Sequence, residues 1–272
     1  VIVDVVRSPF GRGREGGALA GWHPVDLFAR VLRALQRRTG VDPARIEDVI
    51  AGCVLQVGEQ AGNVARQAVL AAGWPVTVPG VTLDRKCGSA QQAMDFAAQG
   101  VIAGAYDLVV AGGVEVMSRV PMKSNRMGRD EKGPMHRARF PEGLVGQGIS
   151  AELIAARWGL SRGEMDACAL RSHRLAAADA GVAADIEPLG GVERDEGVRR
   201  DTSLERLAAL RPAYFDEGMA ARFPQVGWQV TAGNASQVTD GAGAMLIAEE
   251  GVARRLGLRV RARLRHFAVV GD

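Results

Sequence analysis

The sequence predicts an α/β fold: a parallel sheet with helical crossovers, interrupted by a mostly helical insertion. Strand-like and helix-like segments alternate through the first 113 residues in the order βαβαβαβ. Helical crossovers of that length favour parallel pairing in a sheet covered on both faces. The alternation breaks at Val114, and residues 119–146 carry Gly, Pro, Met and charge without periodicity. A structureless loop that long is uncommon unless it is functional.

Each element has its own signal. "VIVDVV" (1–6) reads as a buried strand. Val25, Leu27, Phe28, Val31, Leu32 and Leu35 mark a helix near 25–38, with Pro24 at its start. "IEDVIAGCVLQ" (46–56) is the next strand, and "NVARQAVLAAG" (63–73) a helix closed by Gly73. "GVTLDR" (80–85) is a third strand, 89–103 a third helix and "YDLVVAGG" (106–113) a fourth strand. Beyond the loop come helices near 149–158 and 162–180, the second with Ser161 as N-cap. Residues 185–212 read as irregular; 230–250 return to small residues and a strand, then a short helix, then a final strand in "LRVRARLRHFAVV" (258–270). The expected organisation is a core of 1–118 plus 241–272, with 119–240 inserted as a subdomain and no internal repeat.

Composition narrows the function. Hydrophobic residues at 47% and charged residues at 24% fall in the ordinary soluble globular range. No apolar run approaches the ~18 residues of a membrane span, and no secretion signal opens the chain, so no membrane partner is expected. The chain begins at Val1 rather than methionine, and a few residues are expected to precede it. Cys53, Cys87 and Cys168 are widely spaced, without a C-x-x-C pair. That suits a reducing cytoplasm and argues against structural zinc or any other metal site. Net charge is +3 with basic residues dispersed, and aromatics are only 5%, which argues against nucleic acid as a partner.

"GRGREG" (11–16) matches G-x-G-x-x-G just after the first strand, but the next helix starts well downstream at Pro24. A dinucleotide site needs the last glycine to open that helix, so a flexible loop is the better reading. "TLDRKCGSAQQAMDFAAQG" (82–100) sets Cys87 between a strand and a small-residue helix. Unpaired N–H groups and the positive end of the helix dipole stabilise a thiolate at such a junction, and small residues at 88–90 leave room for a substrate. The alternative for any cysteine is a buried structural thiol, which is the reading for Cys53, inside a strand, and Cys168, on an amphipathic helix. A thiolate nucleophile wants a base. None of His23, His136, His173 and His266 has a local context that marks it as one. "TAGNASQVTDGAGA" (231–244) suits equally a tight turn or close approach to a ligand.

Six runs together resemble the thiolase family, the acyl-CoA C-acyltransferases: "RSPFGR" (7–12), "NVARQA" (63–68), "DRKCGSAQQA" (84–93), "AGGVEVMSRVP" (111–121), "LRPAY" (210–214) and "TAGNASQVTDGAGA" (231–244). They stand in family order over essentially the whole chain, and "GEQAGNVARQAVLAAG" (58–73) and "CGSAQQA" (87–93) look closest to actinobacterial thiolases of lipid or steroid side-chain breakdown. The resemblance implies a thiolase-like layered fold, a βαβαβαββ N-terminal core carrying a loop domain that binds substrate. It implies that Cys87 is the acyl-accepting nucleophile and that its backbone N–H is an oxyanion donor. Coenzyme A is then a substrate rather than a bound cofactor. Ser236, with Ala235 beside it, matches the contact to the pantetheine arm. Arg199 or Arg200 falls near the nucleotide end, Gln147 on the substrate side, and Asn63 and Arg66 in a segment at the dimer interface or supporting it. CoA thioesters are the implied partners, and a homodimer or homotetramer the implied assembly.

Three departures stand out. Ala90 occupies a glycine position of the family, and its methyl is expected to narrow the pocket. The H-M-G of many thiolases is here Gly146-Gln147-Gly148, which puts a short-chain acetoacetyl specificity in doubt. The family's second half, with N-E-A-F, G-H-P and C-x-G runs, is not in these 272 residues, so the histidine that would activate Cys87 is expected beyond Asp272 or missing. The competing readings are a ketoacyl-synthase-like condensing enzyme and a truncated, non-catalytic thiolase-like CoA-binding protein.

Overall fold

A computed structural model describes residues 1–271. Along the chain lie β1 (Ile2–Arg7), β2 (Gly11–Arg12), α1 (Pro24–Thr39), β3 (Asp48–Gly52), α2 (Val64–Ala71), β4 (Val81–Leu83), α3 (Ser89–Ile102) and β5 (Leu108–Val116). Then follow α4 (Pro134–Arg139), α5 (Gln147–Trp158), α6 (Arg162–Ala178), α7 (Ala180–Ala184), α8 (Leu204–Ala208), α9 (Glu217–Arg222), β6 (Thr239–Ala248) and α10 (Glu250–Arg255). The chain divides into two compact units. The first comprises Val1–Met127, Ala183–Gly197 and Val238–Asp272; the second comprises Gly128–Val182 and Val198–Gln237. Residues 119–127, 183–197 and 238–240, which composition assigns to the insertion, thus pack within the first unit.

The first unit is one sheet in the order β1-β6-β5-β3-β4, with β2 beside β6. Strands β5, β3 and β4 pair in parallel, as helical crossovers require. The sheet is nevertheless mixed, not parallel throughout, because β6 runs antiparallel between β1 and β5. Periodicity identifies a strand but not its direction, and β6 follows the insertion rather than a simple βαβ crossover. Helix α1 is amphipathic; it buries Leu27, Phe28, Val31, Leu32 and Leu35 and stops where Gly40 adopts φ 68°. Each such large side chain contributes roughly 1.5–3 kcal/mol on burial. Helices α1 and α2 share one apolar cluster with the sheet. On a second cluster α3 packs through Ala93, Ala97 and Ala98, small enough to let it lie close.

Three strands differ most from the sequence reading, while β1 and β4 shift by one or two residues at their ends. The strand expected over 46–56 ends at Gly52, and the one expected to end at 113 continues to Val116. The second follows from β6, which pairs with β5 through Val114, Glu115 and Val116; the first follows from Glu115. The Glu115 carboxylate accepts N–H bonds from Val54 and Leu55, so residues past Gly52 turn toward a side chain on β5 instead of continuing the ladder. The final strand over 258–270 does not form; only an isolated bridge joins Ala262 to Ile2. The free edge of β1 is shared: Arg261 and Ala262 meet it at Ile2, while Asp185 and Glu187 occupy it at Arg7.

In the second unit, α6 opens with the expected Ser161 cap, reinforced to a reciprocal capping box with Glu164. Buried acids organise the rest. Glu152 accepts the N–H groups of Gln229 and Val230 at 2.9 and 2.6 Å. Among the described residues no helix is long and apolar enough to cross a membrane.

Candidate active site

Cys87 lies at the end of the sheet where the parallel strands finish. Gly52, Leu83 and Gly113 are level there in the register, and Cys87 follows β4 by four residues and precedes the Gly88 cap of α3. Ligands of open α/β sheets bind at this edge. The thiol is exposed. Lys86, just before it, holds φ 51°, a left-handed conformation unusual for a long side chain. Its N–H donates to Asp84 Oδ1 at 2.7 Å, and its ammonium pairs with Asp84 Oδ2 at 2.6 Å. Burial raises the Asp84 carboxyl, but these Lys86 bonds outweigh it and hold the group below its usual range. The buried Ser89 hydroxyl accepts the Arg85 N–H at 2.8 Å and donates to the Lys86 carbonyl at 2.6 Å. The sequence marked Ser89 only as a small residue; its hydrogen bonds emerge only in the folded turn. The Ala90 methyl reaches toward β5, where a β-carbon on Gly113 would lie 3.2 Å from it.

Beside this edge, Glu115 also accepts from the buried Gln60 amide at 2.7 Å, and Gln60 accepts from the Val116 N–H at 2.9 Å. Cys53 is buried against the same carboxylate. Burial, then the Glu115 charge, pushes its thiol up to about 12, so it is an inert structural cysteine. Asn63 N-caps α2 at φ 52°, accepts from Thr82 Oγ1 at 2.9 Å and donates to the Gly80 carbonyl at 2.8 Å. Arg66 donates to the Val76 and Val78 carbonyls. Both residues therefore tie α2 to the approach of β4 within this chain.

In the second unit, Ala235 and Ser236 line an open groove of about 430 Å³ with Met165, Cys168, Ser172 and His173. The preceding turn is built rigidly. Asn234 accepts the Thr231 N–H at 2.8 Å and donates to the buried Asp166 at 2.9 Å, and Asp166 accepts from Arg162 at 2.7 Å. Gly233 leaves room for Leu207 and Leu210, whose methyls would lie 2.6 Å from a β-carbon there. Cys168 is exposed on the groove, which corrects its reading as a buried structural thiol; the helix face it occupies looks outward. The Arg199 N–H donates to His173 Nδ1 at 3.2 Å. Burial, then the Arg199 charge, lowers the His173 pKa. Arg200 instead donates to the Ala177 carbonyl at 3.1 Å, near the end of α6. Gln147 is exposed at the start of α5, and Gly148 beside it has the Tyr214 ring 2.3 Å from where a β-carbon would stand. Cys87 belongs to the first unit; Gln147, Arg199, Arg200, Ala235 and Ser236 belong to the second.

Residues 1–251 match the family model described as thiolase, N-terminal domain. The chain belongs to the thiolase family. It is similar to a steroid 3-ketoacyl-CoA thiolase of Mycobacterium tuberculosis, at 43% identity over 98% of this chain and 66% of that protein. It is also similar to 3-ketoacyl-CoA thiolases of Shewanella frigidimarina and Escherichia coli, each at 40% identity over the whole of this chain and 70% of theirs. This thiolase chain therefore spans about two thirds of the length of those relatives. The matches favour neither a ketoacyl-synthase-like enzyme nor a non-catalytic binding protein.

Proposed function

We propose that this chain performs thiolase-type acyl transfer on 3-ketoacyl-CoA, with Cys87 as the acyl-accepting nucleophile. The observation that carries the reading is the position of Cys87: an exposed thiol on a strained turn at a helix start, at the ligand-binding edge of a thiolase-family sheet. In the cleavage direction the Cys87 thiolate attacks the 3-keto carbon, and the bond between C2 and C3 breaks. The electron pair goes to C2, which takes a proton, and acetyl-CoA leaves. The thiolate of a second CoA then attacks the acyl-enzyme, releasing a shortened acyl-CoA and regenerating Cys87. The reverse sequence is a Claisen condensation. Splitting one difficult step into two is the purpose of the covalent intermediate. The Cys87 backbone N–H acts as an oxyanion donor.

The second unit then serves as the substrate-binding loop domain. Ser236 and Ala235 hold the pantetheine arm, Arg199 or Arg200 supports the nucleotide end, and Gln147 lies on the substrate side. Coenzyme A enters as substrate, with no tightly bound cofactor. The steroid thiolase among the relatives supports a bulky 3-ketoacyl chain as the substrate class. Asn63 and Arg66 then support a homodimer or homotetramer interface in addition to their bonds within the chain. Three unpaired cysteines support a cytoplasmic setting.

The test is peptide mapping by mass spectrometry after incubation with a 3-ketoacyl-CoA. An acyl adduct on Cys87, lost in Cys87→Ala together with turnover, is the expected result. Turnover by Cys87→Ala would overturn the mechanism.

A further inference from the structure

We infer that Ser89 is a positioning residue for the Cys87 nucleophile: by holding the Lys86 carbonyl it aims the Cys87 N–H at the developing oxyanion. The inference rests on the acyl-transfer reading and goes beyond it by naming what orients the donor. The peptide joining Lys86 to Cys87 is planar, so its C=O and N–H point in opposite directions. The Lys86 carbonyl accepts from Ser89 Oγ at 2.6 Å and from the Ser89 N–H at 3.0 Å. With the carbonyl held from that side, the Cys87 N–H is turned to the other. Arg85 and Cys87 form an isolated bridge across this turn, in which the Arg85 carbonyl accepts from the Gly88 N–H at 3.2 Å. The preceding peptide is held as well: Lys86 stands at φ 51° with its N–H on Asp84 Oδ1.

Ser89 is itself fixed. Its hydroxyl uses its donor on Lys86 and accepts from the Arg85 N–H, and the side chain is buried. Gly52 leaves it space, since a β-carbon there would stand 2.7 Å from the Ser89 β-carbon. The Gly88 cap offers no side-chain bond, so the hydroxyl of Ser89 is the side-chain tie between this turn and the helix. A serine at the start of a helix could be there for helix stability alone. That role would not distinguish one reaction of Cys87 from another, whereas an oxyanion donor does.

Two reagents make the distinction. With p-nitrophenyl acetate, the Cys87 sulfur forms a bond to the acetyl carbon through a tetrahedral oxyanion and p-nitrophenolate leaves. With iodoacetamide, the same sulfur displaces iodide with no oxyanion. Both rates are measured at Cys87 by peptide mapping, with Cys87→Ala as blank. In Ser89→Ala the ratio of acylation to alkylation should fall about tenfold, and in Ser89→Thr, which keeps a hydroxyl, it should stay within about twofold of the parent. An unchanged ratio in a folded Ser89→Ala protein overturns the inference. Should Ser89→Ala not fold, Lys86→Gly removes the strained conformation; the ratio should then fall on adding Ser89→Ala to Lys86→Gly, and equality of the two overturns the inference. If no 3-ketoacyl-CoA acylates Cys87 yet the ratio still falls, the proposed function fails and the role of Ser89 stands.

Discussion

Gly52 lies so close beneath the first turn of α3 that a β-carbon on it would stand 2.5 Å from the Ala90 nitrogen. No flexible side chain can yield there, because the nearest atoms are backbone and the next is the Ser89 β-carbon. Gly52→Ala must therefore push α3 off the strand ends, at a cost of about 2–4 kcal/mol. The urea midpoint should fall, and Cys87 should lose reactivity toward iodoacetamide in whatever fraction remains folded.

Gly52 also shows what the sequence could not reveal. The alternation of "VIVDVV", the α1 stripe and the small residues of α3 exposed the elements, because burial imposes periods that a single chain displays. The place of Cys87 between β4 and α3 was legible, because the β-branched run before it and the small-residue run after it mark a strand and a helix. The antiparallel course of β6 was not, since direction leaves no periodic trace. Glu115 lies past the break at Val114, and its charge is satisfied by Val54, Leu55 and Gln60 from a loop that only folding brings to it. Ser89 was hidden for the same reason: its partners are backbone groups, which every residue has.

The three thiols should separate by access. Cys53 is buried with its thiol pushed up to about 12, whereas Cys87 and Cys168 are exposed. Iodoacetamide near neutral pH should modify Cys87 and Cys168 in the native protein and Cys53 only in denaturant. Native labelling of Cys53 at a rate comparable to the other two would contradict this.

Asp195 should make stability depend on acid. Its carboxylate accepts from Arg7 Nη1 and Nη2, at 2.7 and 2.8 Å, and from the Phe10 N–H at 2.8 Å. Burial raises its pKa, but these bonds outweigh burial and hold it below the usual 3.8. A depressed carboxyl contributes stability that is present above its unfolded value and lost as pH falls through the folded one. Asp195→Asn should thus cost about 2 kcal/mol at neutral pH. That difference should persist down to the unfolded value and shrink below it, as urea titrations across pH would record.

The turn that carries Ser236 depends on a buried acid rather than on its own sequence. Asp166 accepts from Arg162 on one oxygen and from Asn234 on the other, and it is almost wholly buried. Asp166→Ala takes one acceptor from each, leaving Arg162 on the Leu207 and Leu210 carbonyls and Asn234 on the Gln229 carbonyl, and should cost about 1–3 kcal/mol. Replacing Arg162 as well should cost less than the sum of the two single changes, because both single changes remove the same ion pair. If the groove beside Ser236 receives CoA, Asp166→Asn should weaken CoA binding about tenfold by calorimetry, since the amide keeps the volume but loses one acceptor. Alkylation of Cys87 should not change in the same variant. Equal loss of both would show that the damage is global and not confined to the turn.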